Sequence, residues 1–346
     1  MTWLRFPLIM GVVLAHCNLY AIIASWEGCN PDWPAWLVYI FKYLYWLLLP
    51  PRVPTLFIIS GYFFFRSQKD RDINFFVDKY KRRVHSLLIP YLVWNAVAIM
   101  LMYFRYDVIA DNGYSFTDYM SGFWSSTIND NGMPANNPLW FMRNLMVVTL
   151  MAPLIYYLVK VKYGFLAIIL IAACYVTNIN IPVCGISFET ILFFSIGAYL
   201  AIHRVDITTI PRVLGIIMLL LYIPVQLFMN ALSADSNYLY CFDLLTSFVK
   251  ITAVFYLVSL LFKKKILKPT PGLSKISFLL YALHGIVINP VIMLLYKLSG
   301  CTDNPLALFG IYVTTPIIMV AVTQFLYATM TKFTPGIAKA VTGNRG

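Results

Sequence analysis

The strongest constraint on the fold is a series of apolar segments, each near twenty residues long, that recurs from one end of the chain to the other. The 346 residues are 60% hydrophobic and only 12% charged, whereas soluble globular proteins carry about 25% charged residues. A backbone in lipid must satisfy its own hydrogen bonds, and a helix does so within one segment. The sequence therefore predicts an all-α polytopic membrane protein, with a single domain over residues 1–346 and no soluble domain.

Ten apolar segments predict about ten transmembrane helices. They cover residues 3–24, 36–65, 84–105, 138–159, 163–181, 189–203, 211–231, 241–262, 277–298 and 305–330. We expect the second helix to be broken near Pro50, Pro51 and Pro54, because proline removes a helical hydrogen bond. The first segment is too long for a cleaved signal peptide and lacks a clear cleavage site, so we expect it to remain as a helix.

Charge alternates along the connecting segments. Every second connection is basic: Arg66 to Arg83, Lys160 and Lys162, Arg204 and Arg212, Lys263 to Lys275, and Lys332 to Arg345. The intervening connections carry acidic residues: Glu27, Asp32, Asp107, Asp111, Asp118, Asp130, Asp235 and Asp303. Because basic loops stay in the cytoplasm, the alternation predicts that both termini are cytoplasmic. The net charge of +12 is then a signal of topology, and it does not favour nucleic acid as a partner.

Two features belong to the predicted outer side. The connection over residues 107–137 is long and rich in Asn, Asp, Gly and Ser, which is typical either of a functional loop over an outer mouth or of a mobile loop. Four of the six cysteines, Cys29, Cys184, Cys241 and Cys301, fall at outer loops or helix ends. Disulfides among them are open, because the outer face could be oxidising. Their spacing is not that of a metal site, and we predict no metal.

The first helix carries two ionisable residues that an anchor would not need. Arg5 and His16 are eleven positions apart, so at about 100° per residue they lie on one face, about 16 Å apart along the axis. Ionisable groups inside a membrane are functional candidates. His16 is either a buried structural histidine or a general base, since burial favours the neutral imidazole. Arg5 either snorkels to the headgroups or binds an anion from the cytoplasm.

The second helix adds a motif and a cation at each end. Arg52 lies at the predicted outer rim, and Arg66 follows the helix on the cytoplasmic side. Between them, Ser60 and Gly61 lie within the membrane, where glycine permits close helix packing, and Tyr62 opens an aromatic run. Together with Arg66, the basic run that follows forms a cationic patch at the inner surface: Lys79, Lys81, Arg82 and Arg83. This patch either follows from topology alone or binds an anion.

Later helices place further polar or aromatic residues in or at the rim of the membrane: Trp140, Arg143, Glu189, Asp243, Lys250 and His284. Asp243 and Lys250 are seven residues apart and share a helix face, which favours a structural ion pair, with Arg143 as another potential member. Glu189 could pair with an arginine at the outer rim. His284 lies about two turns inside its helix, at a depth from which it could approach His16, although the sequence does not show that they meet.

Five stretches occur in a recognisable order: LRFPLIMGVVLAH, PTLFIISGYFFFR, KYKRRVHSLLIPYLVW, LWFMRNL and LLYALHG. Together they resemble the integral-membrane acyltransferases of the bacterial O-antigen acetylase type, the acyltransferase-3 family. The resemblance covers essentially the whole chain. Its most specific part is the Arg5–His16 spacing followed by the Ser-Gly-aromatic motif. The family's ten or so helices and cytoplasmic N-terminus agree with the count made from the loops.

The resemblance implies an activity in the inner (plasma) membrane. Such proteins transfer an acyl group, usually acetyl, from cytoplasmic acyl-CoA to a hydroxyl of a cell-envelope glycan or lipid-linked sugar. It implies that His16 is the essential histidine and Arg5 its paired arginine. It also matches six further residues to family motifs: Ser60, Gly61, Tyr62, Arg66, Trp140 and Phe141. The stretch from Pro50 to Pro54 departs from the Gly-Phe stretch of many members. It resembles the glycan and exopolysaccharide-modifying branch, but because of the departure the resemblance does not identify the acceptor.

The acyltransferase hypothesis divides the candidate residues into two groups. The first would bind acetyl-CoA or another short acyl-CoA: Arg5, Ser60, Tyr62, Arg66, Lys79, Arg82 and Arg83. The second would shape the acceptor site: Arg52, Trp140, Arg143, Glu189, Asp243, Lys250 and His284. His16 would act either as a general base or as a covalent acyl relay. The alternatives are a carrier for a small polar solute, which would need no CoA, and a scaffold, which leaves the Arg5–His16 pair unexplained. The acyl group and the oligomeric state stay open.

Overall fold

The computed structural model describes residues 5–25, 33–40, 52–66, 72–109, 111–128, 132–179, 181, 183, 185–207, 209–232, 238–266, 271–301 and 303–343. These residues form helices and no strand. In chain order the helices are α1 (Arg5–His16), α2 (Leu19–Ala24), α3 (described over 35–40), α4 (Arg52–Phe65), α5 (Ile73–Arg83), α6 (Ile89–Tyr103), α7 (Phe116–Ser121), α8 (Trp140–Leu150), α9 (Ala152–Val159), α10 (Phe165–Val176), α11 (Phe188–Ile202), α12 (Arg212–Ala231), α13 (Leu239–Lys263), α14 (Pro271–Leu298), α15 (Pro305–Phe333) and α16 (Pro335–Thr342).

The all-helical, multi-pass character predicted from the sequence is confirmed. Within the described ranges, five helices are long and apolar enough to cross a membrane, and a sixth span results if the bent pair α8 and α9 is counted as one. Four of the predicted spans instead contain shorter apolar helices: 3–24, 36–65, 163–181 and 189–203. The count of ten spans and the cytoplasmic termini therefore stay predictions.

The chain divides into two units. Unit 1 comprises Met1–Leu48, Val84–Met142 and Thr270–Gly346, and unit 2 comprises Leu49–Arg83 and Arg143–Pro269. Each unit is therefore assembled from segments that are distant in the sequence.

The predicted first helix is not continuous. α1 ends at His16 and α2 begins at Leu19. The side chain of Asn18 caps α2, because its oxygen accepts a hydrogen bond from the backbone N–H of Ala21 at 3.4 Å. Asparagine favours such a cap over a helix interior. The prediction of one helix over 3–24 is therefore wrong, and His16 is the last residue of α1 rather than an interior residue of a longer helix.

The predicted helix over 138–159 is bent. It begins with a 3₁₀ turn at Asn137–Leu139, and α8 and α9 then meet at an angle of 60°. Pro153 lies in the first turn of α9. It has no N–H, and its ring clashes with the carbonyl four residues earlier, that of Thr149, in a continuous helix. The bend follows from this residue.

The predicted connection before the third span is largely helical. α5 continues through a π-helical turn, Val84–Leu88, into α6, and the whole helix runs over Ile73–Ile109. α5 is amphipathic: Phe75 and Phe76 are buried, whereas Lys81 and Arg82 are exposed. The predicted connection over 66–83 is thus helical from Ile73 to Arg83.

The 107–137 connection is folded where the structure describes it. It contains α7, which starts with a capping box in which Ser115 and Asp118 bond each other's backbone N–H. The segment closes on itself through a bond from the N–H of Ala135 to the carbonyl of Gly122 at 2.7 Å. The Tyr91 hydroxyl of α6 donates to the carbonyl of Phe123 at 2.6 Å. These bonds hold the segment against α6.

The last helix is docked within unit 1. Ala338, Val341 and Thr342 of α16 are buried. The indole N–H of Trp94 on α6 donates to the carbonyl of Val341 at 3.0 Å. Gly343 ends the helix with φ of 66°, a left-handed conformation that glycine adopts at no steric cost.

In unit 2, α4 and α11 pack with their backbones in close contact. A side chain added at Gly61 would overlap the carbonyl oxygen of Phe194, and one added at Gly197 would overlap the carbonyl oxygen of Ile58. Each helix therefore presents a glycine to the backbone of the other. This reciprocal contact explains the glycine of the Ser-Gly motif as a packing residue.

Candidate active site

Two histidines lie in contact in unit 1. The ring of His16 at the end of α1 and the ring of His284 on α14 have centroids 4.9 Å apart and meet edge to face, at 75°. His16 is exposed, whereas His284 is fully buried, at 0% exposure. His16 is therefore the accessible member of the pair, and His284 lies behind it.

Backbone carbonyls fix the tautomer of both rings. The Nδ1 atom of His16 lies 2.8 Å from the carbonyl oxygen of Val12, and that of His284 lies 2.6 Å from the carbonyl oxygen of Tyr281. A carbonyl can only accept, so each Nδ1 carries the proton and the neutral ring keeps its lone pair on Nε2. Within the described residues, Nε2 of His284 is buried and has no hydrogen-bond partner.

Protonation of both rings at once is unfavourable, because two imidazolium cations about 5 Å apart would repel each other in a low-dielectric interior. Of the two rings, that of His16 is the one exposed at the surface of the structure.

A group of buried amides and an aromatic hydroxyl surrounds the turn of α14 that carries His284. The side-chain N–H of Asn136 donates to the carbonyl of Ala282 at 3.0 Å, and the backbone N–H of Asn136 donates to the side-chain oxygen of Asn95 at 3.0 Å. The hydroxyl of Tyr281 donates to the carbonyl of Pro138. Sequence reasoning missed Asn95 and Asn136, because a single asparagine in an apolar helix or before a helix start has no periodic signal.

The basic run that was predicted to bind acyl-CoA divides between two faces of α5. The ammonium of Lys79 lies 5.6 Å and 5.3 Å from the ring centroids of Phe64 and Phe75, and the guanidinium of Arg83 lies 5.8 Å from the ring of Phe64. Arg82, like its neighbour Lys81, is exposed on another face. Lys79 and Arg83 therefore form a cation–aromatic cluster with α4, and Arg82 does not share it.

The Ser-Gly-aromatic motif lies on α4. Ser60 is half-buried and Tyr62 is buried. The guanidinium of Arg66, directly after the helix, lies 5.4 Å from the ring centroid of Tyr62. This distance is within the range of a cation–π contact, so the basic residue after the motif packs back onto it.

The residues predicted to shape the acceptor site fall into both units. His284 belongs to unit 1, as does Trp140, which is half-buried at the start of α8. Its neighbour Phe141 packs at 6.3 Å from Tyr281. Arg143 belongs to unit 2, is buried at 4% exposure and donates from Nε to the side-chain oxygen of Asn144 at 3.2 Å.

Asp243 and Lys250 have separate partners within unit 2. The carboxylate of Asp243 accepts from the Tyr175 hydroxyl at 2.6 Å. The ammonium of Lys250 donates to the Gln226 side chain at 3.0 Å and lies 4.7 Å from the ring of Tyr222. The ion pair between Asp243 and Lys250 stays a prediction. Glu189 occupies the first turn of α11, where a carboxylate interacts favourably with the helix N-terminus.

Several predicted residues fall outside the described part of the structure. They are the side chains of Arg5 and Arg52, together with Cys29 and Cys184. Of the four cysteines predicted at the outer side, the remaining two, Cys241 and Cys301, are exposed and free. Among the residues that were described, no group of three or more His, Cys, Asp or Glu is placed to hold a metal ion.

The fold is that of a multi-pass helical membrane protein with a histidine pair in one unit. The chain matches the family described as an acyltransferase domain over residues 1–329. A succinoglycan biosynthesis protein, ExoH of Rhizobium meliloti (strain 1021), is 25% identical over 369 aligned positions that cover 99% of this chain and 91% of that protein. No solved structure matches the chain. The protein therefore belongs to the acyltransferase-3 family, as its motifs predicted.

Proposed function

We propose that the protein is a membrane O-acyltransferase that moves an acyl group, with acetyl as the first choice, from acyl-CoA to a hydroxyl of a cell-surface or lipid-linked glycan. Membership of the acyltransferase family provides the reaction class. The name of the similar protein from Rhizobium meliloti, a succinoglycan biosynthesis protein, supports a polysaccharide acceptor. The observation that carries the mechanism is the accessible His16 ring backed by the buried His284 ring.

The proposed reaction uses the neutral tautomer of His16, in which Nδ1 carries the proton and Nε2 keeps its lone pair. His16 Nε2 takes the proton of the acceptor hydroxyl as its oxygen attacks the thioester carbonyl. The new C–O bond forms, the C–S bond breaks, and the CoA thiolate leaves and takes up the proton from the imidazolium. General-base catalysis of this kind contributes about 10²- to 10⁴-fold in rate. In the covalent alternative, Nε2 of His16 attacks the thioester carbonyl, the C–S bond breaks and the CoA thiolate leaves. The acceptor hydroxyl then takes the acyl group from the ring, which frees Nε2, and its proton passes to the thiolate.

The donor would bind where cations and aromatic rings coincide. Lys79 and Arg83 of α5 present two cations beside the ring of Phe64 on α4. Arg66 directly follows α4. Phosphate groups of CoA form charge-assisted hydrogen bonds with such side chains. Arg5 opens α1 in the other unit, and its role as a ligand of the donor stays a prediction from the sequence. Ser60 and Tyr62 lie on α4, the helix that contributes Phe64 to this cluster.

Acetyl-CoA binding to the purified protein tests the donor site. We compare Lys79→Gln/Arg83→Gln with the control Lys81→Gln/Arg82→Gln, which removes the same charge from the other face of α5. We expect the first variant to bind at least about tenfold more weakly, since one hydrogen bond to a charged group contributes about 1.5–3 kcal/mol. We expect the control to bind within about twofold of wild type. Equal weakening in both variants would show that surface charge alone attracts the donor.

Transfer itself is tested in reconstituted vesicles with radiolabelled acetyl-CoA and a glycan-lipid fraction of the host membrane. We expect alkali-labile label in the glycan. Uptake of a polar solute without acyl-CoA, and no label in the glycan, would overturn the proposal in favour of a carrier.

A further inference from the structure

The turn of α14 that carries His284 is held from outside by the segment before α8. The side chain of Asn136 donates to the carbonyl of Ala282 at 3.0 Å, and the carbonyl of Pro138 accepts from the Tyr281 hydroxyl. Asn136 is 2% exposed and Ala282 is 0% exposed. The same turn provides the Tyr281 carbonyl that fixes the His284 ring. One short segment therefore bonds to two residues of the turn that leads into His284, Tyr281 and Ala282.

Gly285 makes this approach possible. A Cβ atom at this position would lie 2.6 Å from the Asn136 side-chain oxygen and 2.6 Å from the Pro138 ring. Both distances are far shorter than ordinary van der Waals contact. The close packing of Asn136 and Pro138 on the turn therefore requires glycine at position 285, next to His284.

Asn136 is in turn fixed to α6. Its backbone N–H donates to Asn95, whose own side chain donates to the carbonyl of Tyr91 at 2.9 Å. Asn95 is 0% exposed. Burying two amides in an apolar bundle is unfavourable unless their hydrogen bonds are made. The Asn136 side-chain oxygen is also buried and, within the described residues, receives no hydrogen bond. Burying this oxygen is unfavourable, so the hydrogen bonds of Asn136 do not by themselves explain why an amide is at this position.

We propose that Asn136 is a positioning residue for the histidine pair. Through the Ala282 carbonyl it sets the orientation of the α14 turn, so that the ring of His284 meets the ring of His16 and His16 presents Nε2 to the acceptor hydroxyl. Asn136 acts through His284 and contacts neither donor nor acceptor. The inference rests on the proposed transfer function and extends it to a residue outside the family's recognised motifs in this sequence.

Steady-state kinetics of Asn136→Ala test the proposal. Misplacing a catalytic group by about 1 Å can reduce the rate about a hundredfold, and we expect kcat to fall by about ten- to a hundredfold with acetyl-CoA affinity unchanged. The matched control is Trp94→Phe, which also removes one buried side-chain-to-backbone bond within unit 1, but the bond it removes ends on Val341 of α16 and not on the histidine turn. We expect it to leave kcat within about twofold of wild type.

Gly285→Ala provides a second variant if Asn136→Ala does not fold. It keeps Asn136 but forces Asn136 and Pro138 away from the turn, so kcat should fall in the same way. A folded Asn136→Ala protein with the kcat of wild type would overturn the proposal. An equal loss of kcat in Trp94→Phe would overturn it too, because the effect would then be general destabilisation.

Nitrogen NMR of the histidine side chains separates this proposal from the proposed function. The Nδ1 and Nε2 signals of His284, assigned with His284→Gln, should shift in Asn136→Ala and stay in place in Trp94→Phe. If wild-type protein shows no acyl transfer, the proposed function fails, while this shift still reports on Asn136. Unchanged His284 signals in Asn136→Ala would overturn the positioning role whatever the activity.

Discussion

The helix pairs α1–α14 and α4–α11 make opposite kinds of contact. In unit 1, α1 and α14 meet through two imidazole rings, one of which keeps a buried nitrogen with no hydrogen-bond partner in the part of the chain that is described. In unit 2, α4 and α11 meet backbone to backbone at Gly61 and Gly197. The first contact places an exposed imidazole beside a buried one, whereas the second leaves no room for a side chain between the two helices. The two contacts therefore differ in kind, because one joins polar rings and the other joins backbones.

The largest effect is expected at the histidine pair. His16→Ala should reduce acyl transfer by about 10²- to 10⁴-fold, because the general base is lost, and should leave the melting temperature close to that of wild type. His284→Ala should cost less, since the buried ring supports His16 and does not face the substrate. Initial rates of ester formation on the glycan measure both. Transfer retained by His16→Ala would contradict the site, and a more severe defect in His284→Ala would reverse the order of the two rings.

The next effect concerns stability and the glycine contact. Gly61→Ala and Gly197→Ala should each destabilise the protein by about 1–3 kcal/mol, the usual cost of overpacking. Gly310→Ala is the control: it lies within α15, nothing stands within 4 Å of the added Cβ, and alanine favours a helix over glycine by up to about 1 kcal/mol. Denaturant unfolding followed by tryptophan fluorescence compares the three. Equal stability of the Gly61 and Gly310 variants would remove the distinction between the two helix pairs.

A smaller effect is expected where a single bond joins two helices. Trp94→Phe removes the bond to the Val341 carbonyl, which should cost about 0.5–1.5 kcal/mol. Hydrogen exchange should accelerate in α16 and remain unchanged in α4 and α11. Faster exchange throughout unit 1 would show that α16 is part of its cooperative core.

The smallest effect is a pH dependence in the segment after α6. Hydrogen bonds from Ser115 and Thr127 hold the pKa of the Asp118 carboxyl below its ordinary value of 3.8. A lowered folded-state pKa stabilises the fold above the unfolded value, and this contribution is lost as the pH falls through the folded value. The protection factors of the amide hydrogens over residues 115–127, which correct for the intrinsic pH dependence of exchange, should therefore fall only in acid below about pH 3.8. Asp118→Asn should abolish this pH dependence, and a fall in protection between pH 5 and 8 would contradict it.

The sequence predicted what depends on composition and local pattern. Hydropathy predicted helices and membrane spans, and the motifs predicted the family. It did not predict the break after His16, because Asn18 is one residue in an otherwise apolar run. Pro153 did offer a signal for the bend in the fourth predicted helix, and it was outweighed by the apolar segment around it.

Contacts between distant segments were the least accessible to sequence reasoning. Depth along the helix suggested that His284 could approach His16, but helical periodicity defines a face and not its partner. The reciprocal packing of Gly61 and Gly197 and the hold of Asn136 on α14 depend on which helices become neighbours. That choice is made by the whole bundle, and no local pattern encodes it.

The break after His16 has an electrostatic consequence. Because α1 ends there, the imidazole lies at the negative end of the helix macrodipole, beside the last carbonyls. This end stabilises a cation by about 0.3–1 kcal/mol, and by up to about 2 kcal/mol in partly buried geometries. In the proposed transfer, an imidazolium would form only while the ring holds the acceptor proton, so the helix end would favour that step over the resting state. In a continuous helix over residues 3–24, His16 would lack this assistance.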